Sequence, residues 1–140
     1  MQQQISVITL GIADVARSKH FYVGGFGWMP VFENAEIVFY QMNGLMLGTW
    51  LTGALEADMQ RSGLARQGAF SVAHNVRSEE DVQPLLDRLA AYGGMPLRAA
   101  DKPPPGGLRG YVADPDDHVW EIAFNPAWPI SVDGRVTFGL

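Results

Sequence analysis

The stretch "GYVADPDDHVWEIAF", residues 110–124, decides the fold. Two mainly apolar runs flank an Asp- and Pro-rich turn, the pattern of a β-hairpin. Its only acid inside a strand is Glu121, so strand alternation sends Val119 and Ala123 to the side of Glu121, and Trp120 and Ile122 to the other. A second hairpin is read in "IVFYQMNGLMLGTW", residues 37–50, where Asn43-Gly44 is a strong turn pair. The uncharged run 37–55 approaches the length of a membrane span, but that turn pair, Gln41 and two threonines favour the hairpin.

Working outward, each hairpin is preceded by the same series. In the first half a strand, "ISVITLGIAD" (5–14), leads to a helix-like "VARSKHFYVGGFG" (15–27) and then to "WMPV" (28–31). In the second half "AFSVAHNVRS" (69–78) leads to "EEDVQPLLDRLAAYGG" (79–94) and "MPL" (95–97). Ser78 followed by three acids marks an N-cap, Val82, Leu85, Leu86 and Leu89 share one helical face, and Gly93 and Gly94 end the helix. Asp14 caps the first helix, whose Ala16, His20 and Val23 share a face. The chain therefore reads as one α+β domain of two tandem βαβββ modules, about residues 4–55 and 67–127, related by a pseudo-twofold axis. "GALEADMQRSGLARQG" has little periodicity, so residues 56–66 are read as the linker, and 128–140 form a tail. The repeat aligns Ile8 with Val72, Leu45 with His118 and Gly48 with Glu121. The loop "DKPPPGG" (101–107) occurs only in the second half and is either a site cover or a plain connection.

Composition narrows the function. Ten basic and fifteen acidic residues give a net charge of -5 with no basic run, which argues against nucleic acid as a partner. The absence of cysteine leaves only His, Asp and Glu as metal ligands and suits a reducing compartment. The start "MQQQISVITL" lacks the pattern of a signal peptide, so a cytoplasmic protein without membrane attachment is expected.

A duplicated βαβββ module ending in "DPDDHVWEIAFNP" and opening with "ITLGIADVARSKHFYVGGFGW" resembles the vicinal oxygen chelate superfamily, which includes glyoxalase I, extradiol dioxygenases and bleomycin- and fosfomycin-resistance proteins. The resemblance spans residues 4–126. It implies a cupped mixed sheet with helices outside and the site within, and four ligand positions in metal-dependent members. Position by position these fall on Val7, Gly48, Ser71 and Glu121, of which only Glu121 ligates firmly. His74 is three residues from Ser71 and so points to the opposite face, packed under a helix. His118 belongs to the turn, and His20 to the packing face or rim of the first helix.

The expected inner set comprises Val7, Thr9 and Gly11 on the first strand and Ser71, Ala73 and Asn75 on the fifth. Phe39, Trp50 and Tyr111 fill the cup, Trp28 reaches toward it from the helix end, and Arg109 faces the cup or water. The resulting ligand-binding set is Thr9, Phe39, Trp50, Ser71, Asn75, Arg109 and Tyr111, with Glu121 as catalytic candidate. Without a metal, the carboxylate must find donors such as Asn75 or Arg109 or favour its protonated form. The function read from this is a glyoxalase/bleomycin-resistance-like protein that holds a small organic molecule in its cup, with no cofactor. The alternatives are a lyase or dioxygenase with a divalent metal on Glu121, and a metal-free isomerase or lyase with Glu121 as base. A homodimer is expected from the spare aromatics and the nonpolar tail.

Overall fold

The structure, a computed structural model, describes residues 1–64 and 68–138. The end of the expected linker (65–66), the start of the second module (67) and the last two tail residues lie outside the described residues.

In chain order the elements are β1 (Val7–Ile12), α1 (Val15–Lys19) with a π-helical continuation (His20–Gly25), β2 (Pro30–Glu33), β3 (Ile37–Gln41), β4 (Met46–Leu51), α2 (Thr52–Met59), β5 (Val72–Asn75), a 3₁₀ turn (Glu79–Asp81) leading into α3 (Val82–Ala91), β6 (Met95–Asp101), β7 (Leu108–Ala113) and β8 (Val119–Phe124). They form two four-stranded mixed sheets of identical topology, ordered β1-β4-β3-β2 and β5-β8-β7-β6. In each, the first strand runs parallel to the fourth and the remaining pairs are antiparallel. This is the duplicated α+β pattern anticipated from the two hairpins, and the run 37–55 is largely β3 and β4. No helix of the described residues is long and apolar enough to cross a membrane.

Local chemistry accounts for the helices. The Asp14 carboxylate accepts the N–H of Arg17 at 2.7 Å, and the Ser78 hydroxyl accepts that of Glu80 at 3.3 Å. α3 buries Val82, Leu86 and Leu89, and its end is closed by the Gly94 N–H bonding to the Leu89 carbonyl at 2.9 Å, with Gly93 at φ 98°. The first helix differs from its expected face: Ser18, Phe21, Tyr22 and Gly25 are buried, whereas Ala16 and His20 are exposed. A π-turn adds a residue to the repeat, so a face extrapolated at 3.6 residues per turn drifts off the core. His20 lies at the rim, with its ring 5.1 Å from that of Tyr92. The stretch read as aperiodic connection contains α2, whose Leu55 tucks against β1 beside Gly11.

One core spans both halves. Leu10, Val38, Tyr40 and Leu47 of the first sheet join Val112, Trp120 and Ile122 of the second around Phe21, Tyr22 and the apolar face of α3. Arg88 of α3 donates to the carbonyls of Gly24 and Gly25 at 2.9 and 2.8 Å, satisfying acceptors that the first helix leaves open at its end. Close approach is enforced at Gly110, where a Cβ would lie 2.4 Å from Leu86 Cδ1 and 2.8 Å from the Arg98 carbonyl oxygen.

Candidate functional site

Parity along the strands separates a core face from an open face on each sheet. In the first sheet Thr9, Phe39, Gly48 and Trp50 stand opposite the buried set, with Phe39 in register with Gly48 and Thr9 with Gly48. In the second, Glu121 lies between Ala73 and Tyr111, and Ala123 lies between Asn75 and Arg109. Thr9, Phe39 and Trp50 are therefore gathered on one open face, and Asn75, Arg109, Tyr111 and Glu121 on the other. The described strands of the two sheets do not pair with each other, and the core joining the sheets lies on their helix-facing sides.

Several candidate residues sit differently from their sequence reading. Ser71 falls one residue before β5 and is exposed. Arg109 is mostly shielded, but its ion pair is with Asp101 across the β6–β7 hairpin, and it makes no hydrogen bond to Glu121 among the described residues. Glu121 itself is half-buried and has no hydrogen-bond or ion-pair partner among the described residues, neither Asn75 nor Arg109. Trp28 does not reach the open face. It stacks 4.1 Å from Phe26 and packs near Tyr22, Tyr40, His74 and Trp120 in the core, because the π-turn places the chain after α1 between the sheets. His74 behaves as its parity requires, with Phe26 and Trp28 beside its ring, and burial pushes its imidazole below the ordinary histidine value.

The metal-ligand positions implied by the resemblance do not fit a metal. Val7 and Gly48 have no donor atom, and Ser71 offers a neutral hydroxyl. A Cβ at Gly48 would lie 2.9 Å from Phe39 Cε1, so the phenyl ring fills the direction in which a ligating side chain would grow. The described residues contain no group of three or more His, Cys, Asp or Glu arranged to hold an ion.

What sequence reasoning missed is the work done by the turn 114–118. Asp114 is buried and accepts the Tyr22 hydroxyl at 2.6 Å through Oδ2, while its Oδ1 accepts the N–H groups of Asp116 and His118, each at 2.9 Å. The Trp120 indole N–H donates to the same Tyr22 oxygen at 3.1 Å. His118 Nε2 is 2.6 Å from the Gly11 carbonyl oxygen, and Asp116 accepts the Ala13 N–H at 2.9 Å and pairs with Arg17 at 2.6 Å. Every one of the last three contacts, like that of Tyr22, joins the second half to the first. Burial pushes the Asp114 carboxyl up despite its donors, and burial followed by that carboxylate holds the Tyr22 phenol well above its usual value. The loop 101–107 is a connection between β6 and β7, with the backbone at Gly107 pressed against the Phe124 carbonyl.

The largest cavity described is a groove of about 860 Å³ along the free edge of β5, bordered by Trp28, Tyr40, His74, Asn75 and Arg88. Of the expected ligand-binding set Asn75 borders it, beside Ala73 of the expected inner set. A smaller apolar pocket of about 170 Å³ adjoins it beneath Met42, between Ile8, Leu47, Val72 and Trp120.

Comparison with known proteins agrees with this architecture. The crystal structure of a glyoxalase-related enzyme from Fulvimarina pelagi is 60% identical, with a TM-score of 0.98 over 99% of this chain and 100% of that one. Lactoylglutathione lyase from Agrobacterium tumefaciens is 21% identical with a TM-score of 0.72, over 94% of this chain and 100% of that chain. The fosfomycin resistance protein FosX from Mesorhizobium loti is 17% identical with a TM-score of 0.67, over 89% of this chain and 94% of that chain. These last two similarities concern the fold. A family model matches residues 4–122, and the chain belongs to the Glyoxalase/Bleomycin resistance protein/Dioxygenase superfamily.

Proposed function

We propose that the open sheet faces bind a small, flat organic molecule without a tightly held metal, and that Glu121 sets the charge preference of the site. The observation that carries this reading is the Phe39 ring lying over Gly48 at the position opposite Glu121 in the repeat. A divalent ion there would have one firm protein ligand in place of the three or four of a dedicated site. Phe39, Trp50 and Tyr111 supply aromatic surface beside small residues, which suits a flat ligand better than a metal chelate. A half-buried carboxylate with no protein donor favours a cation or a hydrogen-bond donor.

Because the two open faces belong to separate sheets and turn away from the common core, a second copy of the chain is proposed to close the cup, making the working unit a homodimer. A metal-free isomerase or lyase is the second reading. It is favoured by the 60% identical structure, which is described as a glyoxalase-related enzyme. In it Glu121 removes a proton from bound substrate.

The test compares proflavine, a flat aromatic cation, with a neutral acridine of the same outline, alongside elemental analysis of the purified protein. Glu121→Gln is expected to weaken the cation by about 1 to 3 kcal/mol, to leave the neutral acridine unchanged and to leave metal content near zero. One tightly held metal per chain, stripped by Glu121→Gln, would overturn the reading.

A further inference from the structure

We propose that the ligand of the open face is dipolar: a flat aromatic carboxylate whose far end bears a cation or a hydrogen-bond donor, with Arg98 holding the carboxylate and Glu121 the far end. This substrate class rests on the charge preference proposed for Glu121 and adds the opposite pole that the same face carries.

Strand register sets the two poles apart. Arg98 of β6 pairs with Tyr111 of β7, and Tyr111 pairs with Glu121 of β8, so the three stand side by side across neighbouring strands. Directly paired residues project from the same face of a sheet, and Tyr111 lies on the side away from the buried Gly110 and Val112. Two strand spacings, roughly 10 Å, separate Arg98 from Glu121.

The positive pole comes from an unequal ion cluster. Arg98 donates to Asp101 Oδ2 through Nε and Nη2 at 3.2 and 2.7 Å, and Arg109 pairs with Oδ1 of the same carboxylate. Asp101 is in register with Arg109, which places the cluster on the open face. Two guanidinium groups thus share one carboxylate and leave a surplus of one positive charge. The Arg98 Nη1 group has no partner among the described residues, and the side chain is 51% exposed, so its remaining donors are within reach of a bound molecule. Arg109, only 14% exposed, is the less solvated of the two and keeps Asp101 from neutralising Arg98 fully.

A ligand with a single charge meets one pole and is repelled by the other. A molecule with opposed ends satisfies both, and a para-substituted aromatic ring with a contact at each end is comparable in length with the gap. Ala73 and Ala123, beside Glu121 on this face, are small and uncharged and leave room for the ring over Tyr111.

The test is titration calorimetry on the full-length protein with 4-(aminomethyl)benzoate, a zwitterion at neutral pH. Its amide, 4-(aminomethyl)benzamide, keeps only the cationic end, and 4-methylbenzoate keeps only the anionic one. The zwitterion is expected to bind most tightly. Arg98→Gln should weaken it about 2- to 5-fold, as for an exposed ion pair, and abolish its advantage over the amide, without weakening the amide or proflavine. Retained proflavine binding shows that the variant is folded with its face intact. Glu121→Gln should weaken the zwitterion and the amide but not 4-methylbenzoate. A zwitterion that binds no better than the amide, or equally well to Arg98→Gln, overturns the proposal, while proflavine binding that depends on Glu121 upholds the charge preference on its own. Equal weakening of proflavine by Arg98→Gln also overturns the proposal, since the effect is then structural. Cation binding unaffected by Glu121→Gln overturns both.

Discussion

Tyr22→Phe removes a single oxygen from the interior and should cost more than its size suggests. That oxygen is both donor to Asp114 Oδ2 at 2.6 Å and acceptor for the Trp120 indole at 3.1 Å. Its loss leaves a buried carboxylate short of a donor and a buried N–H without an acceptor. A hydrogen bond to a charged group is worth about 1.5 to 3 kcal/mol, and an orphaned buried donor costs about 1 to 3, so about 2 to 4 kcal/mol overall is expected after partial relaxation. This is a large share of the 5 to 15 kcal/mol or so that holds a typical domain together.

The effect should depend on pH. The Asp114 carboxyl is raised above its ordinary value of 3.8 in the folded state, chiefly by burial, so the native protein takes up its proton more readily than the unfolded chain does. The stability this residue contributes is therefore fully present below the unfolded value and is lost as pH rises through the raised folded value. The Tyr22 bond opposes that shift, so Tyr22→Phe raises the carboxyl further and widens the window upward. Urea unfolding followed by tryptophan fluorescence should show the variant's deficit growing from about pH 4 toward neutrality. A deficit under about 0.5 kcal/mol at neutral pH, or one that does not shrink on acidification, would refute the reasoning.

Three further outcomes are expected. Gly48→His alone should not create a metal site, because the Phe39 ring lies in the path of the new side chain; adding Phe39→Ala clears the path, and elemental analysis compares the two variants. Gly110→Ala should cost about 1 to 3 kcal/mol in urea unfolding, since its Cβ meets the Arg98 carbonyl and the Ala100 nitrogen as well as a movable Leu86 methyl. Light scattering at concentrations on the order of tens of micromolar should give the mass of a dimer, with a monomer counting against a composite cup.

The duplicated sheet was legible because alternation is local: Trp120 and Ile122 are buried, Glu121 is not, and each register follows from its own hairpin. His74 was legible for the same reason. The phase of α1 was not, because a π-turn leaves no mark in the spacing of Ala16, His20 and Val23. Nor was the partnership of Tyr22 with Asp114, 92 residues away, since an aspartate before a proline has a sufficient local explanation as a turn former. Arg109 was ambiguous on parity alone, and Asp101 claimed it from a neighbouring strand whose register is bulged. The Phe39 ring over Gly48 follows from pairing β3 with β4, a step that treating Gly48 only as a missing ligand does not take.

The contacts of the turn 114–118 bear on how the two copies of the module have diverged. In the repeat His118 corresponds to Leu45 and Gly11 to Asn75, so the bond from His118 to the Gly11 carbonyl has as its mirror a methyl-bearing side chain facing the edge of β5. One seam between the halves is stitched by Asp114, Asp116 and His118. At the other, the tip of the first hairpin carries Met42, Asn43 and Leu45, with no acid and no histidine to reach across. The seam without such contacts borders the groove that Met42 and Asn43 line together with Ile130, Gly134 and Val136 of the tail, so the asymmetry that separates a stitched edge from an open one is written in five residues of a turn.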